Sequence, residues 1–340
     1  MMTRPTIHDV AKVAGLSLAT VDRVLNKRGG VANKSIQKVA DAIAQTGYVR
    51  DIAAANLSRG REYRFAFVLP DSATSFMGLL RDALMAESNR LSAQKIRIDI
   101  LTTQAFDTAS LLTTLRTLTP ATTDGIAMIA PETPEVQTEI ARLAADGISV
   151  VSLVSDLPRT DRHAYVGPDN VAAGRTAATF MGKFIRADAG RVLVIAGSLA
   201  ARDHMERVMG FRAVMNSRFP ALDLLPAAQG FDDAATVRAL VRDALSDGPL
   251  AGIYAVGAGN RGVLDALANQ ADRPVVIAHE LTVVSRSALQ SDDFDLVIDQ
   301  NPTAEVRTAI SIMQDLSDAQ SVTPTQGAIP LNIFIRENIT

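Results

Sequence analysis

From residue 63 onward, short apolar runs take turns with amphipathic stretches of about 12 to 16 residues, and this alternation limits the fold more than any other feature of the chain. Runs at 65–69, 96–101, 125–130, 148–154, 192–196, 252–256, 275–278, 296–298 and 331–335 read as strands; 77–92, 172–185 and 234–245 read as helices between them. Strict strand–helix alternation builds parallel sheets covered on both faces. There are more strands than one open sheet usually holds, so the expectation is an α/β core of two parallel-sheet, Rossmann-like subdomains.

Open α/β sheets bind ligands outside the carboxyl ends of their strands. Polar, non-repetitive residues gather at those ends here: Asp71, Ser75 and Phe76 after the first run, Asp156 after the fourth, and Arg202, His204 and Arg207 after the fifth. Gly259 and Asn260 follow GIYAV, His279 and Glu280 follow VVIA, and Gln300 follows LVID. Any one of these clusters reads as an ordinary solvated loop. Six at separate strand ends suit a small polar ligand gripped between two lobes.

The first 62 residues are of another kind. Thr6 stands at an N-cap, with Asp9 three positions later, for a helix over 7–14 that Gly15 ends. Ser17 caps a second helix over 18–26, and a turn of this length containing Gly is a helix-turn-helix connection. Val10, Ala11, Ala14, Leu16, Val21, Val24 and Leu25 are spaced to pack the two together, with Ala11 and Gly15 small where helices cross closely. A third helix opens at Asn33 or Lys34 and stops at Gly47; 50–62 reads as a linker able to become helical. Residues 1–62 carry ten Lys and Arg against five Asp and Glu, whereas the rest carries 24 against 32, so a basic head sits on an acidic body. That asymmetry points to a polyanion for the head alone, or to a solvated basic face.

Several classes are disfavoured. With no Cys there are no disulfides, thiolate metal sites or cysteine nucleophiles. The opening MMTRPTIHDVAKVAG lacks the apolar core of a secretory leader and no run is long enough to span a membrane, which reads as cytoplasmic. The four His (His8, His163, His204, His279) form no metal-ligand spacing, no G-x-S-x-G occurs, and the glycines of VGAGNRG miss the dinucleotide fingerprint. No catalytic residue, metal or cofactor is expected. The alternatives are a sugar-binding receptor, or a sugar-acting enzyme with a Rossmann-like core.

The stretch TIHDVAKVAGLSLATVDRVLN, then GYVRDIAAANLSRGR, then the α/β body, resembles the LacI/GalR family of bacterial transcription regulators along essentially the whole chain. The resemblance implies a helix-turn-helix DNA-binding head (1–49), a hinge helix (50–62), and a periplasmic-binding-protein-like core for effector binding and dimerisation (63–340). The core would divide into an N-lobe of about 63–165 and 300–323 and a C-lobe of about 166–299 and 324–340. It implies a repressor acting as a homodimer on double-stranded operator DNA, controlled by a sugar or polyol between the lobes. Leu18, Ala19 and Asp22 would face the major groove; Thr6, Ser17, Thr20, Arg23 and Asn26 would meet phosphate or sugar. Leu57 would wedge into the minor groove, with Ala53, Ala54 and Asn56 on the same surface. The chain departs from the family's pattern at Asp22, commonly Ser, and at Arg50, where a hinge Pro is common. Gly259-Asn260 stands for a common Asn-Asp pair, and His279-Glu280 replaces an Asp-containing strand end. The ending at 335–340 leaves no room for a tetramerising leucine-heptad helix.

Overall fold

The computed structural model describes residues 5–25, 30–46, 48, 62–71, 75–105 and 107–339. The chain forms two compact units, one of residues 1–62 and 92–95 and one of residues 63–91 and 96–340.

The first unit holds α1 (Ile7–Ala14), α2 (Leu18–Leu25) and α3 (Asn33–Thr46). The Asp9 carboxylate accepts from both the backbone N–H and the hydroxyl of Thr6, each at 2.8 Å, which fixes the start of α1. These bonds, the backbone one first, hold the Asp9 carboxyl below the usual range. Gly15 ends the helix at φ +62°, a left-handed turn that favours glycine. A Cβ there would meet nothing within 4 Å, so Gly15 serves the backbone angle and not the close helix crossing its size suggested. Ser17 Oγ accepts from the Thr20 N–H at 3.1 Å to start α2. Val10, Ala11, Ala14, Val21, Val39 and Ala42 form the small core.

The second unit contains two sheets. The first has strands β1 (Tyr63–Asp71), β2 (Ile96–Gln104), β3 (Gly125–Met128), β4 (Ser149–Leu153) and β5 (Ala164–Val166), all parallel, in the order β2-β1-β3-β4-β5. Helices α4 (Ser75–Leu91), α5 (Thr108–Arg116) and α6 (Pro134–Ala145) connect them. The second sheet has β6 (Gly190–Ala196), β7 (Leu222–Leu224), β8 (Ala228–Gln229), β9 (Leu250–Ala255), β10 (Val275–His279), β11 (Leu296–Asp299) and β12 (Asn332–Phe334). Its order is β12-β11-β10-β9-β6-β7, with β8 also on β6. Helices α7 (Asn170–Phe184), α8 (Arg202–Arg218), α9 (Ala234–Ser246), α10 (Asn260–Leu267) and α11 (Val283–Gln290) lie among these strands in sequence.

The nine strands read from the apolar runs are all present, and three very short ones, β5, β7 and β8, add to them. One departs from the all-parallel expectation: β12 runs antiparallel to β11. It begins at Asn332, opposite Asp299 at the end of its one neighbour β11, and so runs back along that strand.

Helix α12 (Pro302–Ser317) lies in sequence between β11 and β12 of the second sheet yet belongs to the first lobe. Val306, Ala309, Ile310, Ile312 and Met313 share one buried core with Tyr63, Phe65 and Phe67. The chain therefore passes between lobes three times, near 167–169, at 300–301 and near 327–331. Gly167 and Ala328 pair as a bridge that sets the first and third passages side by side. In the second lobe α7 and α8 cross closely: a Cβ on Gly174 would lie 1.9 Å from the Arg207 carbonyl oxygen, and one on Gly210 would lie 2.1 Å from that of Val171. Two glycines thus bring backbone against backbone and fix where α8 carries Arg207.

Candidate ligand-binding site

Arg207 is 3% exposed and is the hub of a polar network at the carboxyl ends of the second sheet. Its Nε donates to Asn170 Oδ1 at 2.8 Å, Nη1 to the Val256 carbonyl at 3.3 Å, and Nη2 to Gln300 Oε1 at 3.2 Å. Gln300 Nε2 donates in turn to Glu280 Oε1 at 2.9 Å. The Asn260 amide donates to the His279 carbonyl at 3.3 Å, and His279 Nε2 lies 2.8 Å from the Tyr254 hydroxyl. These groups come from the start of α7, the first turns of α8, the ends of β9, β10 and β11, and the start of α10. Converging strand ends make such a concentration possible.

Burial sets the protonation states. It pushes the Glu280 carboxyl up to about 8, against the opposing pull of Arg207. Glu305, in the first turn of α12 and 0% exposed, is raised well above the ordinary range by burial and then by the charge of Glu280. Burial holds His279 well below its usual value, helped by Arg207 and His204, so its ring is neutral at pH 7. The backbone bends here as well: Val154, Glu280 and Asn301 have φ of +65°, +68° and +57°. Such angles are uncommon outside glycine, and in a β-branched residue such as Val154 they are outliers that gather at functional sites.

Of the residues singled out in the sequence, Arg207, Asn260, His279, Glu280 and Gln300 are brought together. Arg202 and His204 stand on the first turn of the same helix as Arg207. Arg202 lies 2.7 Å from Glu206 and reaches over to Glu132, after β3 in the other lobe, at 3.2 Å; His204 Nδ1 accepts from the Ser198 N–H at 3.1 Å. Gly259 takes φ +91° just before α10. Asp156 is gripped by Arg162 at 2.5 and 2.8 Å and accepts from the Ser152 hydroxyl. Asp71 is exposed and pairs with Arg81 at 3.3 Å, while Phe76 is buried in the core of the first lobe. Ser75 begins α4, its side chain outside the described residues. Among the described residues no hydrogen bond ties Asp71, Phe76 or Asp156 to the Arg207 network.

Asn170, Tyr165, Phe231 and Glu305 were not singled out. Asn170 opens a helix after Gly-Pro-Asp. Tyr165 donates its hydroxyl toward the carbonyls of Val154 and Pro168 at 3.0 and 2.9 Å. Phe231 is 58% exposed at φ +50°, just past the end of β8, and the next residue, Asp232, accepts from the Ala258 N–H at 2.8 Å. An aromatic in QGFDD between a strand and a helix was the readable signal. For Glu305 it was a carboxylate on the stripe 305, 309, 312 and 313, otherwise apolar and at helical spacing.

On the head, Thr6, Ser17, Leu18, Ala19 and Arg23 are exposed, and Thr20 and Asp22 are half-buried. Ser17 and Thr20 share a hydroxyl–hydroxyl bond at 2.8 Å. Asn26, Ala53, Ala54, Asn56 and Leu57, with the hinge helix, lie outside the described residues.

Residues 6–51 match the family model "Bacterial regulatory proteins, lacI family", and residues 65–321 match "Periplasmic binding protein domain". The HTH-type transcriptional regulator DegA of Bacillus subtilis is 26% identical over 221 residues, 65% of this chain and 63% of the relative. The maltose regulon regulatory protein MalI of Escherichia coli is 27% identical over 210 residues, 62% of this chain and 59% of the relative. The chain thus spans less than two thirds of the length of either. A solute-binding protein from Burkholderia graminis, solved with D-arabinose, superposes with a TM-score of 0.75 at 22% identity, over 82% of this chain and 96% of that one. A glucose-galactose binding protein from Geobacillus stearothermophilus superposes with a TM-score of 0.72 at 18% identity, over 82% and 99%. At these identities the superpositions establish the fold alone.

Proposed function

The chain belongs to the lacI family of bacterial regulatory proteins, with a periplasmic binding protein domain as its core, and from that premise we propose that it is a ligand-responsive transcriptional repressor. The head, taken as residues 1–49, reads double-stranded operator DNA through α2. The hinge (50–62) couples it to the core (63–340), and a sugar or polyol between the lobes sets operator affinity. The protein works in the cytoplasm as a homodimer, so that its two-fold symmetry matches a near-palindromic site. We read the core as a binding module and not an enzyme, in keeping with relatives named as regulators.

The observation that carries the reading is the joining of a lacI-type head to a core whose buried Arg207 network lies where the two lobes meet. In this reading Arg207, Asn260, Glu280 and Gln300 grip ligand hydroxyls, Phe231 covers an apolar ring face, and His279 supports the site through Tyr254. Asp71, Ser75, Asp156, Arg202, His204, Phe76 and Gly259 supply the rest of the wall. A ligand that prefers one lobe arrangement shifts the DNA-binding equilibrium by the ratio of its two affinities.

The test is selection of duplexes from a random library by the full-length protein, followed by binding titrations with and without a panel of sugars and polyols. Enrichment of a near-palindromic sequence whose affinity changes with one panel member is the expected result. Failure to enrich any sequence at moderate salt overturns the DNA-binding assignment. Enrichment that no panel member alters overturns control by a sugar or polyol.

A further inference from the structure

Asp203, Asp299 and Arg207 all act electrostatically on both Glu280 and Glu305, and Arg207 is the one Arg or Lys buried among the described residues. Asp299 is satisfied by backbone, accepting from the N–H groups of Leu281 at 3.1 Å and Asn301 at 2.9 Å. Glu280 is half satisfied: Oε1 takes the Gln300 amide, and Oε2 accepts nothing. Glu305 accepts nothing at either oxygen, and Asn260 Oδ1 is unpartnered too. Arg207 does not serve these four buried acceptor oxygens. Its three hydrogen bonds go to Asn170, Val256 and Gln300, and its contact with Glu280 is 3.9 Å, to the oxygen that Gln300 already holds.

Unpartnered buried polar groups are rare in native interiors, and a bound partner is one thing that accounts for them. Without a ligand, burial keeps the Glu280 and Glu305 carboxyls protonated, and their acceptor oxygens still lack donors. A ligand phosphate or carboxylate would leave those acceptors unpartnered. A hydroxyl brings one donor. An ammonium group brings three N–H donors together with the positive charge under which both carboxyls ionise.

We propose that Glu305 is a specificity-determining residue of the effector site, and that the effector is an amine-bearing polyhydroxylated molecule, an amino sugar or aminopolyol. Glu305 and Glu280 Oε2 take its ammonium N–H groups, and Asn260 Oδ1 takes a neighbouring hydroxyl. The inference rests on the reading of the core as a sugar or polyol site and sharpens it. Glu305 enters from α12 and the first lobe, Glu280 and Asn260 from the second, so one ammonium group would join the two halves of the cleft.

The experiment is isothermal titration of the full-length protein at pH 7. The probes are 2-amino-2-deoxyhexoses, 1-amino-1-deoxyalditols and an aminocyclitol, each beside its hydroxyl counterpart, with glucose 6-phosphate and glucuronate as anionic members. An amine at least tenfold tighter than its hydroxyl counterpart, with the anions silent, is the expected result. In Glu305→Gln that preference should shrink at least tenfold, while the wild-type ratio stands as evidence whether or not the variant folds well. Hydroxyl or anionic members that bind as tightly as the amines overturn the inference and leave the sugar or polyol reading in place. A preference that survives in a folded Glu305→Gln removes Glu305 from the site. No binding by any member overturns the reading on which the inference rests.

Discussion

Gly174→Ala isolates the crossing that positions Arg207. The added Cβ would sit 1.9 Å from the Arg207 carbonyl oxygen, about 1.5 Å short of ordinary contact at 3.4 Å, and the atom it meets is backbone. Neither helix can relieve this by turning a side chain, so α7 and α8 must part. Overpacking of this kind costs roughly 3 kcal/mol at the upper end of its usual range, and exchanging Gly for Ala inside a helix returns about 1 kcal/mol, leaving a net loss near 2 kcal/mol. Gly78 in α4 supplies the opposite case, because a Cβ there meets nothing within 4 Å. Gly78→Ala should stabilise by roughly 0.5–1 kcal/mol. Urea unfolding followed by far-ultraviolet circular dichroism should move the two midpoints in opposite directions, and Gly174→Ala should weaken ligand binding as Arg207 is displaced. A Gly174→Ala midpoint at or above that of the parent would refute the argument that the two backbones set the position of Arg207.

Other outcomes follow from features already described. Arg207→Met should leave Asn170, Val256 and Gln300 acceptors unpaired and abolish the ligand's effect on DNA binding, while the unliganded variant still binds operator in a titration. Stability should depend on Glu280. Its carboxyl is raised from its ordinary value near 4.5 to about 8, so the stability tied to its protonated form is complete at low pH and is lost as pH rises through about 8. Melting temperatures taken from pH 5 to 9 should fall more steeply for the parent than for Glu280→Gln. Gly15→Ala meets open space but forces φ +62° on an L side chain, an expected cost of about 1 kcal/mol. Hydrogen exchange in the full chain should therefore quicken for the amides of α1 and α2. Leu57→Ala should weaken specific DNA binding and leave ligand affinity nearly unchanged, as paired titrations with operator and ligand would reveal.

The parts of this molecule legible in the sequence are those governed by periodicity. Strand runs such as RVLVIA carry their own signal, and Thr6 with Asp9 announces a helix start because the bonds involved span three residues. Strand-end polarity led directly to Arg207, Glu280 and Gln300. What stayed hidden depends on distant partners. The strand Ala164–Val166 is three residues long and exists because β4 offers it an edge. Glu305 reads as one acid in a helix until α12 is known to lie in the first lobe, where it comes within electrostatic reach of Glu280 from the other. Gly15 was misread for the same reason: its neighbours in space could not be inferred, although its backbone angle could.

The late return of α12 to the first lobe bears on how the protein is made. A ribosome releases residues 63–166, with the first sheet complete, well before residues 302–317 emerge. Until then, the face holding Phe65 and Phe67 lacks Val306, Ile310 and Met313, which close its core in the finished molecule. The second sheet is nearly finished in that interval, lacking only β12. The lobe begun first therefore waits for a helix made after most of the other lobe, and its uncovered apolar face during synthesis is the surface most open to aggregation or to capture by a chaperone.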